Sequence, residues 1–128
     1  MEVKTHHGDK TKIAEIVSDT VCIKTVEDGL NLLGNLYYQG FDKIIIRTKN
    51  LTPDFFDLKT GIAGEILQKF STYNIPLAVV GDFSGYASKS VKCFMIESNK
   101  NRHINFVESV EKALEIFSAD KNINSDRT

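Results

Sequence analysis

The sequence predicts an α/β fold in the order β-β-α-β-α-β-α-β-α, a largely parallel sheet with one antiparallel strand from an N-terminal hairpin. Three observations predict it. "DKIIIRTKN" and "IPLAVVGDF" hold unbroken apolar runs, the pattern of strands covered on both faces. Between them, apolar residues recur at helical spacing. Glycine-bearing turns separate the two kinds of segment. Right-handed crossovers then bring the loops after "IIIRT", "LAVVG" and "INFV" to one edge of the sheet, the carboxyl edge where ligands usually bind in open α/β folds.

Each element has its own justification. "EVKTHH" and "TKIAEIVS" flank "GDK" and read as a hairpin. In "TVEDGLNLLGNLYYQG", Val26, Leu30, Leu33 and Tyr37 share a helical row, Glu27 and Asp28 fall in the first turn, and Gly40 is the stop. "DKIIIRTKN" is the first buried strand. Thr52-Pro53 is a helix-start signature, which predicts a short helical turn over 53–57. A main helix follows to about Tyr73, with Ile62, Ile66 and Phe70 in one row and Ala63 and Leu67 beside it. "IPLAVVGDF" is the second buried strand. "SKSVKCFMIESNKN" reads as a helix with Val91, Phe94, Met95 and Ser98 on one face. "INFV" is a short strand, and Ser109 caps a last helix bearing Val110, Ala113, Leu114 and Phe117. After Ser118 the apolar period stops, so 1–118 is expected to be one domain and 119–128 a flexible tail.

Composition removes several classes of function. The chain has 128 residues and a net charge of −1, without the basic excess of a nucleic-acid binder. No apolar run reaches the roughly 20 residues that cross a bilayer. The polar start "MEVKTHHGDK" lacks the apolar core of a secretion signal, so a cytoplasmic protein is expected. Cys22 and Cys93, the two cysteines, are expected as buried free thiols. Adjacent His6 and His7 point to opposite faces of a strand and read as a solvated strand end, so no metal and no cofactor is expected. The sequence has no G-x-S-x-G elbow, H-E-x-x-H, Walker loop or G-x-G-x-x-G.

The candidate site residues lie on the predicted carboxyl edge. In "DLKTG", Thr60 precedes Gly61 at a helix start. Its hydroxyl either caps the helix or accepts a phosphate, which the helix dipole would stabilise, with Asp57 and Lys59 as charged neighbours. In "GDFSG", Asp82 and Ser84 supply capping oxygens between two glycines. The turn is structural or it is a ligand or partner loop. In "YASKSVK", Ser88 caps a helix; either capping is its whole role, the default, or the free N–H groups there, with Lys89 and Lys92, bind an anion. Tyr37 and Tyr38 widen the apolar surface of the first helix, which implies either burial, the expected outcome, or a homodimer surface. Gly61 and Gly64 each cost about 1 kcal/mol relative to alanine in a helix interior. Three residues apart, they are expected to let the helix start sit close to the preceding strand, with Phe55 or Phe56 turned inward.

The run "NLTPDFFDLKTGIAGEILQKFSTYNIPLAVVGDFS", followed by "SKS", "ESNK" and "INFV", resembles the bacterial family catalogued as domain of unknown function 4180, from Val3 to about Phe117. A more distant resemblance is to the STAS domain, the fold of anti-sigma factor antagonists. STAS domains carry an Asp-Ser-Ser/Thr-Gly-like turn, phosphorylated by a partner kinase, at the equivalent helix start. Asp57, Thr60 and Gly61 fall in comparable places, with Leu58 and Lys59 standing between the acid and the hydroxyl. With the β/α order, the Thr60-Gly61 helix entrance and the lack of a catalytic motif, this leads to the expectation of a non-enzymatic STAS-like regulatory or protein-interaction module that presents the edge formed by residues 49–61, 81–89 and the turn before the last helix. The alternative is a small-ligand binder or enzyme with Asp57, Lys59, Asp82 and Lys89 around a pocket on the same edge.

Overall fold

The computed structural model describes residues 2–8, 11–83, 93–96 and 103–117. Strands β1 (Glu2–His7) and β2 (Lys12–Val17) form the antiparallel hairpin. Helix α1 (Val26–Tyr38), strand β3 (Lys43–Arg47), helix α2 (Ile62–Thr72), strand β4 (Leu77–Val80) and strand β5 (Ile104–Val107) follow. Residues 93–96 and 110–117 are helical. The five strands lie side by side in chain order, and β2 to β5 are parallel. The mixed α/β order read from the sequence is therefore the order observed.

Sequential order determines the layering. Successive right-handed crossovers that always step the same way place their helices on one face of the sheet. Leu32, Leu33 and Leu36 of α1 and Ala63, Ile66, Leu67 and Phe70 of α2 accordingly join Ala14, Ile16, Ile44, Ile46, Leu77 and Val79 in one core. The alternate strand residues Ile13, Ile45, Ala78, Val80 and Val107 point to the opposite face. There the helix 110–117 covers them with Ala113 and Phe117.

Helices α1 and α2 end by the same device. Gly40, at φ +86, follows α1. The Phe41 amide returns to Leu36 O at 3.1 Å and the Gly40 amide to Tyr37 O at 3.0 Å. Asn74, at φ 56, follows α2, with Ile75 N to Phe70 O at 2.9 Å and Asn74 N to Ser71 O at 3.0 Å. These are Schellman ends, in which a left-handed residue lets the chain reverse and an apolar residue just beyond it anchors the turn. Phe41 and Ile75 are those anchors, both buried, and each leads straight into the next strand.

Four expectations need correcting. The buried face of α1 is Gly29, Leu32, Leu33 and Leu36, one row away from Val26, Leu30, Leu33 and Tyr37. The cause is Gly29, which faces α2 so closely that a Cβ there would lie 3.0 Å from Ile66 Cγ1. Tyr37 and Tyr38 are exposed, not buried, and Tyr37 packs on Tyr73 at 5.6 Å between ring centroids. Cys22 and Cys93 are free, but Cys22 is half-buried and Cys93 exposed. Gly61 and Gly64 do not permit a close approach, because a Cβ at either would meet nothing within 4 Å. Gly61 is instead needed for its φ of +74 at the cap of α2.

Candidate functional site

Between β3 and α2 the chain builds a compact, outward-facing segment on the carboxyl edge. Thr48–Asn50 forms one 3-10 turn, and Leu51 then pairs with Ile23 in an isolated parallel bridge. Thr52 Oγ1 accepts the Asp54 amide at 3.3 Å and starts the turn Pro53–Phe56. Phe55 and Phe56 of that turn are both buried and anchor it in the core, where the sequence predicted one or the other. A third turn, Leu58–Thr60, leads to Gly61 and α2.

Thr60 holds this segment together. Its hydroxyl proton faces both Asp54 O and Asp57 O, each at 2.9 Å, and its oxygen accepts the Ile62 amide at 3.2 Å. Asp57 Oδ1 accepts the Lys59 amide at 3.2 Å. The Gly61 cap has no side chain, so Thr60 takes over the task of satisfying a free amide at the start of α2. Asp54, Asp57, Lys59, Thr60 and Gly61 are all exposed. The structure thus brings Asp57, Lys59, Thr60 and Gly61 together in one surface.

Asp82 lies on the same edge of the sheet, just beyond β4. Gly81 before it is set by packing: a Cβ there would lie 2.5 Å from Thr48 Cγ2. Ser84, Ser88 and Lys89 lie outside the described residues. A shallow cleft of about 340 Å³ opens beside the segment, lined by Val21, Thr48, Lys49, Leu51, Pro53 and Phe56. Asp57, Lys59 and Asp82 are not among its lining residues. Among the described residues, no group of three His, Cys, Asp or Glu side chains is placed to hold a metal ion, and no helix is long and apolar enough to cross a membrane.

The sequence reading missed a polar cluster under this edge. β2 and β3 pair through Glu15 and Ile45 and then diverge. Arg47 and Asn50 bridge the gap. Arg47 donates to Ile16 O at 2.9 Å and to Glu15 Oε2 at 2.6 Å. Asn50 Nδ2 donates to Ser18 O at 2.9 Å and Thr20 O at 2.8 Å. Glu15 also accepts from His6 Nε2 at 2.7 Å, so His6 is an anchored side chain and not a solvated strand end. The Glu15 side chain is only 7% exposed. Burial pushes its carboxyl up, but the hydrogen bonds from His6 and Arg47, with the charge of Arg47, outweigh that and hold it below its ordinary value of 4.5. The available signal was a charged residue between Ala14 and Ile16 in an apolar strand.

Residues 8–117 match the family described as a domain of unknown function, DUF4180. The chain belongs to the DUF4180 family. The match takes in β2 through the helix 110–117, and with them every residue of the carboxyl edge described above. No curated protein and no solved structure matches this DUF4180 chain.

Proposed function

We propose that this DUF4180 protein is a STAS-like regulatory module that binds another protein through the segment 52–61. The observation that carries the reading is the form of that segment. Asp54, Asp57, Lys59 and Thr60 of it are exposed, yet the segment is fixed by the Thr52 and Thr60 hydroxyls and by two buried phenylalanines. A surface already held in one shape loses little conformational entropy on docking. Asp54, Asp57 and Lys59 give it a mixed charge pattern suited to choosing one partner over others.

The STAS-like side of the reading makes Thr60 the control point. A phosphate on its oxygen would remove the proton shared by Asp54 O and Asp57 O, and would set negative charge beside Asp57. The segment would lose its pin, and the surface would change shape.

Affinity capture with the immobilised protein tests the binding surface. Quantitative mass spectrometry compares the wild type with Asp57→Lys/Lys59→Glu. The expected result is a protein retained by the wild type and lost from the variant. Identical retained sets overturn the assignment of the surface. For the control point, incubation with serine/threonine kinases and intact-mass measurement should add phosphate to the wild type and not to Thr60→Ala; equal addition to both removes Thr60 from that role.

A further inference from the structure

β1 is the end strand of the sheet, and among the described residues no strand pairs with its outer side. Its register against β2 runs unbroken from Glu2↔Val17 to His7↔Lys12. It contains no proline and no bulge, two of the devices that blunt natural sheet edges. Lys4 is the single lysine on it.

We propose that β1 is a homodimer contact, in which two copies of the chain pair antiparallel, edge to edge, about a two-fold axis at Val3. The proposal is independent of the surface assigned to residues 52–61. A two-fold axis perpendicular to a continuous sheet must pass midway between one residue and the same residue of the second copy, so that facing side chains share a face. An axis at Lys4 sets Lys4 against its own copy. An axis at Thr5 sets Lys4 opposite His6 of the second copy and Val3 opposite His7. An axis at Val3 sets Glu2 opposite Lys4 of the second copy, and Lys4 opposite Glu2, on the sheet face that also holds Glu15. Val3 then meets its own copy on the other face, where it already packs against the main core. Opposite charges directly across an antiparallel pair are stabilising and like charges destabilising. Of these three registers, only the axis at Val3 sets opposite charges across from each other, and Lys4 both favours it and penalises the neighbouring one.

The pairing is a short strand-edge contact, whereas stable interfaces bury roughly 1,200 Å² or more, so the expected dimer is weak. Sedimentation velocity over a concentration series reaching the millimolar range reads it directly. Glu2→Lys and Lys4→Glu each place like charges opposite each other twice, and each should weaken association by about tenfold. The double variant Glu2→Lys/Lys4→Glu restores both pairs and should return the wild-type affinity. These positions are exposed, and far-UV circular dichroism checks that each variant is folded. A wild type that stays monomeric throughout overturns the proposal. So do single variants that associate as tightly as the wild type, or a double variant no tighter than the singles.

Discussion

The two faces of the sheet are built from alternate residues of the same strands and solve burial in different ways. On one face, α1 and α2 pack apolar side chains over Ala14, Ile16, Ile44 and Ile46. On the other, the helix 110–117 covers Ile45, Ala78, Val80 and Val107, while Glu15, His6 and Arg47 close the β1–β2 side with an ionic cluster. Where a helix supplies carbon, burial is apolar and non-directional. Where no described helix does, burial is achieved by charges whose geometry must be right, because an unpaired buried charge is costly. The first solution tolerates shape changes poorly; the second tolerates chemical changes poorly.

The largest test of this contrast is Phe70→Ala, which opens the apolar face. A loss of about 3–5 kcal/mol is expected, read by urea denaturation as a lower midpoint with an unchanged slope. On the other face, Glu15→Gln keeps the shape and removes the charge. It should cost about 1–3 kcal/mol near neutral pH, because Arg47 loses its charged acceptor. The sign of its pH dependence is fixed. A carboxyl held below its ordinary value stabilises the fold at pH above 4.5, and that contribution is lost as pH falls through the folded-state value. The gap between wild type and Glu15→Gln should therefore narrow below pH 4.5. Equal gaps at neutral and acidic pH would mean that packing, not ionisation, sets the role of Glu15.

A smaller effect separates two glycines of α1. Gly34→Ala meets no atom within 4 Å and should stabilise by about 0.5–1 kcal/mol through helix propensity. Gly29→Ala pushes into Ile66 at 3.0 Å and should lose that gain in thermal melts. The smallest is Val17→Thr, on the half-open face at 38% exposure, expected within about 0.5 kcal/mol of wild type.

The apolar face was largely legible in the sequence, because a strand such as Ile44–Ile46 and a row such as Ile66 and Phe70 announce themselves by local period. The register of α1 was misread because periodicity does not score a glycine as a core residue, and only the proximity of Ile66 makes Gly29 one. The ionic cluster was not legible for a different reason. Glu15 is satisfied by His6 nine residues away and Arg47 thirty-two residues away, and a local pattern sees only a charge in a strand. On the carboxyl edge, Thr52-Pro53 and the Thr60-Gly61 helix entrance were legible as caps. That Thr60 also ties down two upstream carbonyls depends on the path of 54–57, which no spacing rule gives.

The strictly sequential strand order bears on how the chain is made. Each strand pairs with its immediate predecessor, so the sheet can lengthen by one strand at a time as the polypeptide leaves the ribosome, with its pairings of modest sequence separation. Lys43 is the exception to that local bookkeeping. Its ammonium group donates to Phe117 O at 3.0 Å, across 74 residues. During synthesis this lysine stands in water until the helix 110–117 emerges and lies down over it, so the second face is sealed only after all five strands have been made.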